Sequence, residues 1–290
     1  MSQAKSSSGA TSMTETLVQL TVDGQVVEVR DGASVLDACT EAGVDTPTLC
    51  YAENLTPVNA CRVCVVEQEG SRTLVPSCSR RAESGMVIHT DSERVRHSRK
   101  MVLEFLGSGV DLSQADGLAR WIDHYEADPD RYGDQAARIE EPVRVQDDLY
   151  IRDYDKCVLC YKCVEACGDD AQHTFAIAVA GRGFGARIRT EFDTELPESA
   201  CVYCGNCVAV CPTNALQVKT EFDLRQADQW RPEDQVVTRT VCSYCGVGCN
   251  LDLHVQDETI VKVTSPDDHS VTSGHLCIKG RFGWTYVHGR

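Results

Sequence analysis

The stretch Cys157-Val-Leu-Cys160-Tyr-Lys-Cys163-Val-Glu-Ala-Cys167 recurs 44 residues later as Cys201-Val-Tyr-Cys204-Gly-Asn-Cys207-Val-Ala-Val-Cys211. Both runs have the spacing C-x2-C-x2-C-x3-C. Pro212 follows the second run, and Gly168 stands at the same place after the first. Two further sets flank the repeat. Upstream, Cys50, Cys61, Cys64 and Cys78 are spaced C-x10-C-x2-C-x13-C. Downstream, Cys242, Cys245, Cys249 and Cys277 are spaced C-x2-C-x3-C-x27-C. Sixteen of the 17 cysteines are thereby used, leaving Cys39.

So many cysteines mean either disulfides or metal. Disulfides belong to oxidising compartments. The opening MSQAKSSSGATSMTE is polar and has no apolar core of a secretory signal, and no run of about 18 apolar residues exists. A cytoplasmic protein is expected. Closely spaced C-x2-C pairs suit metal better than a disulfide framework. Several thiolates converging on one point match the soft ligand demand of iron–sulfur clusters, with a zinc site as the competing reading. The net charge of −16 argues against a nucleic-acid partner and needs no explanation beyond a solvated acidic surface.

Residues 1–14 are Ser-rich and expected to be disordered. From Leu17 the pattern alternates, with Val18, Leu20 and Val22 on one face. Asp23-Gly24 then predicts a hairpin to a second strand, Gln25 to Arg30. Ser34 reads as the cap of a helix bearing Val35, Leu36, Ala38 and Cys39, with Cys39 a buried small hydrophobe. Residues 91–106 and 117–126 read as helices. Val95, Val102, Phe105 and Leu106 are expected on one core face, and Leu118, Trp121, Ile122 and Tyr125 on another. A polar stretch, Glu126 to Asp148, connects to the repeat. Thr174 to Thr190 alternates around Gly181, Gly183 and Gly185, as a bent β-hairpin would. Asp223 to Asp234 reads as a polar linker to a final cysteine-rich β segment. His89, His97, His124, His173, His254, His269, His275 and His288 form no ligand spacing. No acid–base pair, nucleophile–His set or phosphate loop is present, so no catalytic residue is expected.

The repeated runs carry the bacterial two-cluster ferredoxin signature, in which the fourth cysteine of each run ligates the other cluster. Cys157, Cys160, Cys163 and Cys211 are therefore assigned to one [4Fe-4S]. Cys167, Cys201, Cys204 and Cys207 are assigned to a second. The set Cys50, Cys61, Cys64 and Cys78, in Thr48-Leu-Cys50 and Asn59-Ala-Cys61-Arg-Val-Cys64, resembles the [2Fe-2S] domain that opens the large iron–sulfur subunit of complex I, [FeFe] hydrogenases and NAD-dependent formate dehydrogenases. The hairpin–helix opening is similar to a β-grasp ferredoxin. The set Cys242, Cys245, Cys249 and Cys277, ending Cys277-Ile-Lys279-Gly280-Arg281, resembles the [4Fe-4S] segment of molybdopterin-dependent oxidoreductases. That resemblance makes Lys279 a relay between cluster and pterin.

The fold expected is α+β. Residues 15–92 form a β-grasp [2Fe-2S] domain, 93–147 a helical linker, and 148–222 a 2[4Fe-4S] ferredoxin domain. Residues 236–290 form a small β-rich [4Fe-4S] domain. Taken together the chain resembles the N-terminal part of a cytoplasmic NAD-linked formate dehydrogenase. The resemblance implies one [2Fe-2S] and three [4Fe-4S] centres. It also implies a molybdopterin (Mo or W) chain docking on 238–290 and a flavin (FMN) diaphorase linked to NAD near the [2Fe-2S] domain, with no membrane partner. Many relatives hold another cluster by one His and three Cys. Residues 79–156 contain no cysteine, so that relay is expected to be absent. A split enzyme is expected from the end at Arg290, the alternative being a piece of a longer chain. A hydrogenase or complex I-like subunit and a free-standing ferredoxin-like carrier are the rival readings.

Overall fold

The computed structural model describes residues 16–138 and 140–288. The disorder expected for residues 1–14 lies outside them. The described chain divides into two compact units: residues up to Thr46 with Val65–Val95, and Pro47–Cys64 with everything from Arg96 onward.

In the first unit, β1 (Leu17–Val22) and β2 (Gln25–Arg30) pair antiparallel, from Leu17 opposite Arg30 to Val22 opposite Gln25. Asp23 and Gly24 have φ of 49° and 84°. Positive φ at both central residues is what a tight hairpin twisted with its strands requires. Thr90 fastens the turn by donating its backbone N–H and hydroxyl to the Asp23 carboxylate. Helix α1 (Val35–Glu41) starts at a complete capping box: Ser34 Oγ accepts from Asp37 N, and the Asp37 carboxylate accepts from Ser34 N. Its apolar face puts fully buried Val35, Ala38 and Cys39 against Leu20, Val22 and Val27. Cys39 is a core residue, as expected. Strands β3 (Val65–Gln68), β4 (Val75–Pro76) and β5 (Val87–His89) complete a mixed sheet of order β2-β1-β5-β3-β4, in which β1 and β5 run parallel.

The second unit begins with a segment from the [2Fe-2S] region. The segment Pro47–Cys64, placed by its sequence position in a 15–92 domain, groups with the later chain. The cause is apolar burial. Leu49 and Val63 pack with Leu103, Leu118, Trp121 and Tyr125, and Leu55 packs with Ala166 and Val210. Each fully buried aliphatic or aromatic side chain contributes about 1.5–3 kcal/mol. Helix α2 (Glu93–Gly109) leads from the first unit into the second, and α3 (Ala119–His124) supplies Trp121. The core stripe expected on α3 is present. On α2 it is corrected: Phe105 is 53% exposed and stacks on Tyr132 at 5.0 Å, and Leu103 is buried in its place. Phe105 lies at the margin of the helix face, where a neighbouring ring covers it better than the core does.

Strands β6 (Arg144–Val145) and β7 (Tyr150–Arg152) join β10 (Leu216–Val218) in a sheet of order β10-β7-β6. Between β7 and β10 come α4 (Lys162–Cys167), the antiparallel hairpin β8 (Ala178–Ala180) with β9 (Arg187–Arg189), and α5 (Asn206–Ala209). The hairpin is shorter than the span 174–190, because its glycines form a 3-10 turn, Gly183–Gly185.

The expected linker 223–234 is partly helix α6 (Lys219–Gln226). Pairs four residues apart, Lys219–Asp223 and Glu221–Arg225, lie along it. Glu221 is buried and also takes Lys262 Nζ at 2.8 Å. The final segment is an antiparallel meander of β11 (Val236–Val241), β12 (Asn250–Gln256) and β13 (Thr259–Thr264). It ends in α7 (Ile278–Phe282) and a 3-10 turn, Gly283–His288. Among the described residues no helix is long and apolar enough to cross a membrane.

Candidate metal centres

The repeated cysteines surround two cavities. Cys157, Cys160 and Cys163 wall the first together with Cys211, Tyr154, Ile188 and Leu216, around a small cavity of about 20 Å³. Cys201, Cys204 and Cys207 wall the second together with Cys167, Tyr150, Ala176 and Leu196, around a cavity of about 20 Å³. The fourth cysteine of each run thus stands in the other run's cavity. Short helices produce the exchange: α4 carries Cys167, and α5 leads to Cys211, away from the loop that holds the first three thiols. Among the described residues no three His, Cys, Asp or Glu side chains close on one point as a single ion would need. The thiols stand around a void instead.

The loops are shaped by left-handed residues. Leu159, Tyr161, Tyr203 and Gly205 have φ between 51° and 71°. Such turns aim successive amides inward. Cys157, Cys160 and Cys204 accept from the amides of Leu159, Lys162 and Asn206. Gly168 stands where the second run has proline, and its N–H donates to Val164 O at 2.8 Å, closing α4. A proline there has no N–H to give.

Burial and the mutual repulsion of thiolates push these thiols up: Cys157 to about 11, Cys160 to about 12, and Cys163 and Cys207 well above the ordinary range. Buried thiols gathered this closely ionise only when cations come among them. A coordinating metal does this outright. Tyr154, on the first cavity wall, is buried, and among the described residues its hydroxyl has no hydrogen-bond partner, with the Arg152 guanidinium the cation that acts on it. Soft donors, cavity and orphaned hydroxyl all fit an iron–sulfur cluster.

In the C-terminal segment, Cys242 is buried, Cys249 half-buried, and Cys245 and Cys277 exposed. Burial and then the thiols of Cys242, Cys245 and Cys277 raise the Cys249 pKa, which brings the four together electrostatically. Cys242 N donates to Cys249 O at 2.8 Å. Lys279 is exposed on α7, two residues beyond Cys277.

Of the upstream set, Cys50, Cys61 and Cys64 lie in the Pro47–Cys64 segment. Cys61 N donates to Cys50 Sγ at 3.5 Å, and the Cys50 side chain, ahead of burial, holds the Cys61 thiol far above its usual range. Cys78 belongs to the first unit, two residues after β4, and is buried. Leu36 N donates to the carbonyl of Ser77 beside it at 3.0 Å.

Sequence reasoning missed Tyr150 and Arg281. The Tyr150 hydroxyl is 3.0 Å from Cys201 Sγ. Arg281 is 2% exposed, and its nitrogens donate to Cys204 O, Val263 O and Asn206 Oδ1. Burial pulls the guanidinium down to about 10, against the opposing pull of Cys204 and Cys207. No spacing signals either residue.

Three known families match successive parts of the chain. Residues 15–93 match the 2Fe-2S iron-sulfur cluster binding domain, and 156–215 the 4Fe-4S dicluster domain. Residues 235–289 match the molybdopterin oxidoreductase Fe4S4 domain. The chain carries three iron–sulfur domains. It is 32% identical to a chain of an NADH-quinone oxidoreductase of Rhizobium meliloti over 94% of its length and 32% of the relative. A Staphylococcus haemolyticus relative, whose name as a formate dehydrogenase is provisional, is 28% identical over 92% of this chain and 31% of the relative. The chain spans about a third of the length of these curated relatives. A crystal structure of an NAD+-reducing [NiFe]-hydrogenase in its H2-reduced state shares the fold, with TM-score 0.60 and 24% identity, over 70% of this chain and 87% of that one.

Proposed function

We propose that this chain is an iron–sulfur electron relay of a formate dehydrogenase-type complex, running between a molybdopterin (Mo or W) centre and an NAD-linked flavin centre. The observation that carries the reading is the pair of cavities walled by exchanged quartets. Cys157, Cys160, Cys163 and Cys211 would hold one [4Fe-4S], and Cys167, Cys201, Cys204 and Cys207 a second. Cys242, Cys245, Cys249 and Cys277 would hold a third. Cys50, Cys61, Cys64 and Cys78 would hold a [2Fe-2S]. Bound clusters supply one-electron transfer. The chain's own residues fix position, exclude water and set potentials through hydrogen bonds to sulfur. Lys279, exposed beyond Cys277, would face the pterin partner, and the molybdopterin-type family match over 235–289 supports that side.

A second reading is a component of a complex I-like or hydrogenase assembly, favoured by the NADH-quinone oxidoreductase relative. Anaerobic purification of the native assembly tests both. Iron and sulfide for one [2Fe-2S] and three [4Fe-4S] centres, with molybdenum or tungsten and formate-dependent NAD reduction, is the expected result. Nickel in place of molybdenum or tungsten moves the chain to a hydrogenase. A colourless protein sinks the relay altogether.

A further inference from the structure

Among the described residues, the Tyr150 hydroxyl and the Arg281 guanidinium both reach one of the two exchanged quartets, beside Thr174 Oγ1 at 3.4 Å from Cys167 Sγ and the Tyr203 N–H at 3.4 Å from Cys201 Sγ. The hydroxyl of Tyr150, the buried first residue of β7, is 3.0 Å from Cys201 Sγ. A thiolate ligand accepts only, so with a cluster in place the phenol is the donor. Arg281 brings a buried guanidinium to the same cavity's wall, with Nε on Cys204 O at 3.1 Å. Its three acceptors are neutral oxygens, two backbone carbonyls and the Asn206 amide. A buried charge without a counter-charge is costly, and the negative partners that act on it among the described residues are Cys204 and Cys207.

At the other quartet the Tyr154 hydroxyl stands on the cavity wall but makes no hydrogen bond to a thiol among the described residues. Thr213 is 4.0 Å from Cys211 Sγ, but its hydroxyl bonds Lys156 O at 2.6 Å. Of the cations near that quartet, Arg187 is already paired with Glu141 at 3.0 Å, and Lys162 is only half-buried.

We infer that Tyr150 and Arg281 are potential-setting residues that make the Cys167/Cys201/Cys204/Cys207 cluster the preferred seat of the first electron entering the dicluster domain. This rests on the ligand assignment proposed above. The reduced cluster carries one more negative charge than the oxidised one, and a hydrogen bond to sulfur and a nearby cation both stabilise that charge. Arg281 also joins two sites: its backbone N–H donates to Cys277 O at 3.1 Å, while its side chain reaches Cys204 O. The favoured seat is therefore the one bonded to the C-terminal segment.

The test is an EPR-monitored dithionite titration of the full, cluster-loaded chain, comparing wild type with Tyr150→Phe, Arg281→Lys and Arg281→Gln. Cys201→Ser identifies the signal of the quartet in question. Tyr150→Phe keeps the ring and is expected to lower that midpoint by about tenfold in equilibrium constant, ~59 mV for one electron. The other [4Fe-4S] midpoint stays in place. Arg281→Gln is expected to lower the same midpoint and Arg281→Lys to restore most of it. If Arg281→Gln fails to hold its clusters, Tyr150→Phe alone decides. Unchanged midpoints in Tyr150→Phe, or a shift in the signal that Cys201→Ser leaves alone, overturn the inference while leaving the ligand assignment standing. A wild-type chain that takes up no iron overturns both.

Discussion

Asn54 Nδ2 donates to the backbone carbonyl of Ser273 at 2.8 Å, joining residues 219 apart in sequence. Two residues on, the Thr56 N–H and hydroxyl both donate to the Asp170 carboxylate, at 2.7 and 2.8 Å. The segment that carries Cys50, Cys61 and Cys64 is therefore tied to the C-terminal segment and to the loop just past Cys167. Asn54→Ala is expected to cost about 1 kcal/mol, the usual net worth of such a bond. Amide exchange is expected to quicken between residues 47 and 64. Thermal unfolding and hydrogen-exchange mass spectrometry of the loaded chain check this, and unchanged exchange in that segment would refute it.

Gly205 has φ of +71°, and a Cβ there would lie 2.4 Å from Arg281 Cδ and 2.9 Å from Phe282 Cζ. Gly205→Ala adds both backbone strain and overpacking, each on the order of 1–3 kcal/mol. The side chain must push α7 away from the dicluster loop. Limited proteolysis is expected to release the segment after α6 sooner than in wild type. Equal cleavage rates would show that the close approach is not needed.

Glu221 is buried. Burial pushes its carboxyl up, but Lys262 and Arg225 outweigh that and hold it below the ordinary carboxylate value of 4.5. A lowered folded pKa means the stabilisation is complete above the unfolded value and is lost as pH falls through the folded one. Stability from this group is therefore expected to decline below about pH 5. Glu221→Gln removes the charge and leaves two cations facing a neutral amide, at a cost of about 3 kcal/mol near pH 7. Denaturant titrations across pH check it: the deficit of the variant should shrink as pH is lowered from 6 toward 3, and a pH-independent deficit would count against it.

Cys167 and Cys211 distinguish exchanged from unexchanged ligation. Cys167→Ser is expected to perturb the same EPR signal as Cys204→Ser, and Cys211→Ser the same signal as Cys160→Ser, because those pairs share cavities. The opposite pairing would mean that each run serves its own cluster.

Much of this architecture was legible without coordinates. Asp23-Gly24 and Ser34 announced the opening hairpin and helix because turn and cap chemistry are local. The two exchanged quartets that wall the cavities were legible because their spacing is written along the chain. Phe105 and α6 were misjudged because their placement depends on what lies opposite, Tyr132 and Lys262, and the packing of Pro47–Cys64 on Trp121 through Leu49 and Val63 has no local signal either.

The sequence by itself determined how the cysteines are spaced, since short loops hold their cysteines at a fixed reach whatever surrounds them. Only the tertiary structure decided what stands beside each group. It put the Tyr150 hydroxyl on Cys201 and the Arg281 guanidinium on Cys204 across 51 and 77 residues of chain. No local pattern encodes such a pairing, because a side chain's partner over that distance is chosen by packing.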